Sequence, residues 1–126
     1  MNLLISAAIA RPLQLADLNL TGTSPPQEVR AFCDSFARLL VQRYLTGDLS
    51  WSDADAAANH IFDLMVQHCG DRTPDLAWDV YLAFDAGECT APGGDAVTRP
   101  LVEGILRKFA VSDPILRSVL EGDSGV

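Results

Sequence analysis

The sequence predicts an all-α protein, folded as a single compact bundle of five or six helices over residues 1–126. Apolar residues recur at steps of three and four between residues that begin and end helices, which is the pattern of amphipathic helices. The chain has no alternating run of β-branched and aromatic residues and no Asn-Gly turn, which hairpin strands would show. Its 126 residues, 48% of them hydrophobic, suffice for one core in one domain.

Three helices are predicted in the first part of the chain. Each follows a residue that favours a helix N-terminus and carries an apolar stripe along one face. Each also ends at a glycine, the residue that most readily adopts the left-handed conformation beyond a helix end. These helices run from Ser24 to Gly47, from Ser50 or Ser52 to Gly70, and from Thr73 to Gly87.

Two more helices are predicted after a loop that includes Pro92-Gly93-Gly94-Asp95. One begins near Thr98, with Pro100 in its first turn, and the other begins at Ser112 or Asp113. Residues 121–126 are expected to form a frayed tail. Residues 1–23 fit neither the helical nor the strand period, and we expect either a short helix or an extended arm there.

The charge balance restricts the kind of partner. Nine Lys and Arg residues stand against seventeen Asp and Glu residues, a net charge of −8. Nucleic acids and anionic membranes are bound by basic surfaces, so we expect no nucleic-acid partner and no membrane partner. The apolar run over residues 3–10 follows no basic segment and is short for a signal peptide, so we expect a cytoplasmic protein.

No pattern points to a cofactor, a metal or a catalytic centre. The cysteines at positions 33, 69 and 89 form no CxxC motif. His60 and His68 lie two turns apart and too far round their helix to hold one ion together. Glycine-rich phosphate loops and nucleophile elbows are also missing from the sequence. We therefore expect no catalytic, metal or cofactor-binding residues. This expectation favours a non-enzymatic protein and does not exclude an enzyme.

Acidic residues beside two tryptophans are the candidate partner-binding residues. Asp75 and Asp79 flank Trp78 and repel one another mildly at a spacing of four. Asp85 lies near the end of the same helix, where the helix dipole disfavours a carboxylate. With Asp95, these acids predict a patch that is a solvated face, a protein-binding surface or a divalent-metal site. The candidates are Trp51, Asp53, Asp55, Asp75, Trp78, Asp79, Asp85 and Glu88.

The stretch AFDAGE at residues 83–88, followed by TRPL at residues 98–101, resembles a motif of small uncharacterised bacterial helical proteins. The resemblance implies a bacterial origin and brings no activity, cofactor or site residue with it. Within this stretch we expect Arg99 to reach back across the loop and to pair with Asp85 or Glu88, which would tie two helices together.

Three functions fit these observations. The first is a non-enzymatic acidic protein that binds a basic protein, in the manner of a small inhibitor or immunity protein. The second is a carboxylate-based metal-binding protein or enzyme that uses Asp79, Asp85, Glu88 and His60. The third is a structural or oligomerisation domain, such as a homo-oligomer, whose acidic surface confers solubility. The tryptophan and aspartate neighbourhoods favour the first.

Overall fold

The structure, a computed structural model, describes residues 1–91 and 93–121, and these residues form six α-helices. A short 3-10 helix, Leu15–Leu18, lies between the first two, and the described residues contain no strand. The predicted all-α fold is therefore confirmed. The helices are α1 (Asn2–Ala10), α2 (Pro26–Leu45), α3 (Trp51–His68), α4 (Asp75–Cys89), α5 (Asp95–Phe109) and α6 (Pro114–Glu121).

Helices α2, α3 and α4 pack against one another and enclose the core. Helix α1 lies on α3, α5 lies on α4, and α6 contacts both α5 and α2. One apolar cluster joins these helices, because each places its apolar stripe inward. The large side chains that are almost fully buried in it include Ile5, Phe36, Leu40, Tyr44, Leu64, Phe84 and Leu116.

Two helix starts follow the predicted capping residues. Ser50 precedes α3, and its hydroxyl accepts a hydrogen bond of 3.1 Å from the Asp53 amide. Asp113 precedes α6, and its carboxylate accepts hydrogen bonds from the amides of Ile115 and Leu116. These three bonds satisfy amides that the helix itself leaves without an acceptor.

Two other helix starts differ from the prediction. The Ser24 hydroxyl accepts from the Thr21 amide in a preceding turn, and α2 begins later, at Pro26. At the start of α4 the amide of Ala77 donates to the carboxylate of Asp34, which belongs to the middle of α2, at 2.9 Å. This cap comes from a distant part of the chain, so a local pattern does not reveal it.

Gly87 does not end its helix, contrary to the prediction, because α4 continues to Cys89. The reason for the glycine is the close approach of α5. A Cβ atom at position 87 would lie 2.3 Å from the Thr98 hydroxyl oxygen and 3.0 Å from the Gly94 carbonyl oxygen. The Gly94 amide also donates to the Gly87 carbonyl at 2.8 Å. Only a residue without a side chain fits this contact.

Helix α5 begins at Asp95, earlier than the predicted start near Thr98. Gly94 precedes it with a φ of 58°, in the left-handed region that glycine adopts without strain. Thr98 is therefore buried inside the helix, and Pro100 lies in the helix interior instead of the first turn. Pro100 is exposed to solvent, and its ring removes one hydrogen bond of the helix interior.

Residues 1–23 combine the two predicted alternatives. Helix α1 buries Ile5 and Ala8, and extended backbone at Arg11 leads into the 3-10 helix. A bidentate ion pair between the Arg11 guanidinium and the Asp17 carboxylate links the end of α1 to the 3-10 helix.

No helix in the described ranges is long and apolar enough to cross a membrane. The predicted tail lies outside the described residues from position 122 onward, as does Pro92 in the predicted loop.

We expect Gly87→Ala to lower the free energy of unfolding by about 1–3 kcal/mol, because the new methyl group overlaps α5. Gly104, on α5, is the matched control, since nothing lies within 4 Å of a Cβ built there. Gly104→Ala should raise the free energy of unfolding by about 0.5–1 kcal/mol through the better helix propensity of alanine. Chemical denaturation measures the free energy of unfolding of both variants. A Gly87→Ala variant as stable as the original protein would contradict the close helix contact.

Candidate functional site

Two matching stripes of side chains meet where α3 and α4 pack together. Positions 55, 59 and 62 of α3 and positions 81, 85 and 88 of α4 have the same spacing, which places each set on one face of its helix. Contacts between 59 and 88 and between 62 and 81 show that the helices run in opposite directions. We call these residues, with Trp78, the α3–α4 strip: Asp55, Asn59, Phe62, Trp78, Tyr81, Asp85 and Glu88.

Three carboxyl groups occupy one end of the strip. The Asp55 and Glu88 carboxyl groups lie close enough across the two helices to act on one another, and the charge of Asp85 also acts on Asp55. The Asn59 amide nitrogen donates to the Glu88 carboxylate at 3.0 Å. Across residues 1–91 and 93–121, none of the ion pairs to Lys or Arg involves these three carboxyl groups. The negative charge at this end is therefore not compensated by a cation of the protein.

Asp55 is the most perturbed carboxyl group of this cluster. Burial, the hydrogen bond to Glu88 and the charges of Glu88 and Asp85 raise its pKa from the usual 3.8 to about 7. Its Oδ1 atom is buried and accepts no hydrogen bond from any described residue. An ionised carboxylate with one oxygen in this position loses hydration without gaining a donor, so the neutral form is favoured. Asp55 therefore holds its proton to a higher pH than an ordinary aspartate does.

Three aromatic rings occupy the other end of the strip. The rings of Phe62 and Tyr81 are stacked, with centroids 4.1 Å apart and planes inclined by 12°. Trp78 lies against both, with its ring centroid 5.9 Å from each. All three side chains are half-buried. Burial and the nearby charge of Asp85 raise the pKa of the Tyr81 hydroxyl. These rings form a half-buried aromatic cluster next to negative charge, and aromatic rings attract cations.

Trp78 also lies beside Asp75 and Asp79, as their spacing predicts. The three line a shallow depression of about 230 Å³ with Lys108 and Phe109. The Lys108 ammonium group donates to the Asp79 carboxylate at 3.0 Å. Asp79 is therefore neutralised by the protein itself, whereas Asp75 is exposed in the first turn of α4.

Arg99 does not pair with Asp85 or Glu88, so that prediction is wrong. Its guanidinium lies 3.3 Å from the carboxylate of Asp95, one turn earlier on α5, and 5.0 Å from the centroid of the Tyr44 ring. The Tyr44 hydroxyl also donates to Asp95. Asp95 belongs to the first turn of α5, and its charge is compensated by Arg99 of the same helix. It is therefore not part of the acidic patch that the sequence predicts.

Trp51 takes part in the contact between α3, α4 and α5. Its indole N–H donates to the Thr98 hydroxyl at 2.9 Å, and that hydroxyl donates to the Ala83 carbonyl at 2.9 Å. Its ring centroid lies 6.5 Å from that of Phe84 in the core. Asp53 is exposed in the first turn of α3. These two candidates therefore lie outside the strip, and Trp51 serves the packing of the bundle.

Three members of the strip were not predicted from the sequence, namely Asn59, Phe62 and Tyr81. The equal spacing of polar and aromatic residues on two consecutive helices is the pattern that would have indicated them. The proposed metal or catalytic set does not converge in the same way, because His60 contacts the Ala8 carbonyl on α1. Within the part of the chain that the structure describes, no group of three or more His, Cys, Asp or Glu residues is placed to hold a metal ion.

Comparisons with protein families, with curated proteins and with solved structures found no match for this chain.

We expect Asp55→Asn to change how stability depends on pH. The raised pKa of Asp55 means that the folded protein holds a proton that the unfolded chain releases, so the original protein loses stability as pH rises from about 4 to about 7. The variant keeps a neutral side chain and lacks this loss. Because water screens the exposed edge of the cluster, the variant should be about 1–2 kcal/mol more stable at pH 8 and nearly equal at low pH.

Asp63→Asn is the control for this measurement, because Asp63 is exposed on the same helix and the charge change is identical. Urea unfolding at a series of pH values compares the two variants. If Asp55→Asn and Asp63→Asn show the same pH dependence as the original protein, Asp55 does not hold a proton at neutral pH.

Proposed function

We propose that this protein binds a basic protein and that the α3–α4 strip is the docking surface. The observation that carries the proposal is the charge of the two helices. They contain no Lys and no Arg, and Lys108 of α5 compensates one of their acids. Their seven acidic residues are Asp53, Asp55, Asp63, Asp75, Asp79, Asp85 and Glu88.

A cationic partner fits this surface because it removes an unfavourable interaction of the free protein. Asp55, Asp85 and Glu88 repel one another across the helix contact. The energy of this repulsion falls when a positive group lies between the carboxylates. The charges also attract a basic partner from a distance and speed its association.

The aromatic end of the strip supplies the contact area that charges alone do not. Trp and Tyr side chains contribute most of the binding energy at many protein interfaces, because they bury a large rigid surface. Trp78, Tyr81 and Phe62 are half-buried and packed on one another, so they lose little conformational entropy on binding. The strip thus combines a preformed apolar platform with adjacent negative charge.

We favour a protein that masks a cationic site of its partner, as an inhibitor or immunity protein does. The support is the small size, the net charge of −8 and the helical class of the chain, which is an argument by analogy. A bacterial origin, suggested by the AFDAGE and TRPL resemblance, and a cytoplasmic location are parts of the same proposal.

We expect the variant Asp85→Asn/Glu88→Gln to weaken binding of a fluorescent hexa-arginine peptide by about 5- to 20-fold at low salt, mainly through slower association. The control Glu28→Gln/Asp71→Asn removes the same charge from exposed positions outside the strip and should weaken binding by less than about twofold. Fluorescence anisotropy at low and high salt measures both affinities.

Equal weakening by the two variants would mean that the peptide responds only to the net charge, which would contradict a docking surface on α3 and α4.

Sedimentation of the free protein tests the rival oligomerisation function. A stable dimer that buries the exposed Leu82 and Leu101 side chains would favour that rival.

A further inference from the structure

An open cleft with a volume of about 680 Å³ lies between α1 and the second half of α2, away from the α3–α4 strip. Helix α1 packs mainly on α3, and its face toward the end of α2 stays uncovered. Leu3 of α1, which is 86% exposed, and the half-buried Leu39 of α2 supply apolar surface in this cleft. The volume lies within the range of about 300–1,000 Å³ that is typical of small-molecule sites.

Arg43 lines the cleft from α2, and its guanidinium lacks a partner. The side chain is half-buried, but in residues 1–91 and 93–121 it makes no ion pair and no hydrogen bond. The other half-buried arginines, Arg30, Arg38 and Arg99, each have an acceptor within the protein. A guanidinium that loses hydration without gaining an acceptor favours an anionic group from outside the protein.

Asp48 lines the same cleft and brings the opposite charge to it. Gly47 has a φ of 88°, and the Leu49 amide donates to the Arg43 carbonyl at 3.1 Å, so the chain after α2 turns back toward the helix end. Asp48 is held near Arg43 by this turn, but the two side chains form no ion pair, and the Asp48 carboxylate accepts no hydrogen bond from a described residue. One unpaired cation and one unpaired anion therefore line the cleft.

We propose that this cleft binds a short peptide with free ends and aliphatic side chains. The peptide carboxylate pairs with Arg43, and its ammonium group pairs with Asp48. The aliphatic side chains cover Leu3 and Leu39 and remove their apolar surface from water.

Neutral polar side chains on the cleft wall fit the peptide groups of such a ligand. Asn2, Ser6 and Gln42 line the cleft and offer both donors and acceptors, and none of them makes a side-chain hydrogen bond to a described residue. A fatty acid has neither an ammonium group for Asp48 nor amides for these side chains. The inference does not rest on the proposed function, because the strip belongs to α3 and α4 and the cleft to α1, α2 and the turn after α2.

Titration of the original protein with dileucine, followed by amide shifts in the nitrogen–proton NMR spectrum, tests this site. We expect saturable shifts at residues 2–6 and 39–48. Dileucine amide, which lacks the carboxylate, and acetyl-dileucine, which lacks the ammonium group, should each bind about three- to fivefold more weakly than dileucine, because each loses one ion pair at a partly exposed site.

Two variants connect each end of the peptide to its residue. Arg43→Gln should weaken binding of dileucine about three- to fivefold and should leave binding of dileucine amide unchanged, because the amide has no carboxylate to lose. Asp48→Asn should do the same for dileucine and acetyl-dileucine. The controls Arg72→Gln and Asp71→Asn make the same charge changes at exposed positions outside the cleft and should alter every affinity by less than about twofold.

A lack of saturable shifts at the cleft, or equal affinities for dileucine and its two blocked forms, would overturn this inference. Equal weakening of dileucine binding by Arg43→Gln and Arg72→Gln would overturn it as well, because the peptide would then respond only to net charge. These results leave the α3–α4 strip untouched, since its tests use hexa-arginine and other variants.

Discussion

The close approach of α5 to α4 at Gly87 is the constraint on which the arrangement of this protein depends. The Thr98 hydroxyl and the Gly94 carbonyl occupy the space that a side chain at position 87 would need, and the Trp51 indole donates to the same hydroxyl. Because three helices meet here, the last turns of α4 are fixed relative to the start of α3. Glu88 and Asp55 lie in those two segments, so the packing contact also sets the distance between the carboxyl groups.

Packing and charge thus oppose one another in the α3–α4 strip. The bundle brings Asp55, Asp85 and Glu88 together and provides no cation for them, and a proton on Asp55 relieves part of the repulsion. Some acids outside the cluster are compensated, as in the pairs Asp79–Lys108 and Asp95–Arg99. An uncompensated cluster beside stacked aromatic rings is costly for stability, which is why we assign it to binding.

Local patterns predicted the fold class and several helix starts, because caps and apolar stripes depend on residues close in sequence. Ser50 and Asp113 cap their helices as predicted. Contacts between distant residues were not predictable in this way. The cap of α4 comes from Asp34, 43 positions before Ala77, and the reason for Gly87 lies on another helix. The partners of the predicted acids depend on helix packing in the same way, so the pairing of Asp79 with Lys108 and of Asp95 with Arg99 was not predicted.

The most direct test of the docking surface is a map of amide chemical shifts in the nitrogen–proton NMR spectrum of the original protein as hexa-arginine is added. If the strip is the docking surface, the largest shifts fall on residues 55–62 and 78–88, with small shifts at exposed acids such as Glu28, Asp48 and Asp71. Shifts spread evenly over all exposed acids, or centred away from α3 and α4, would contradict it.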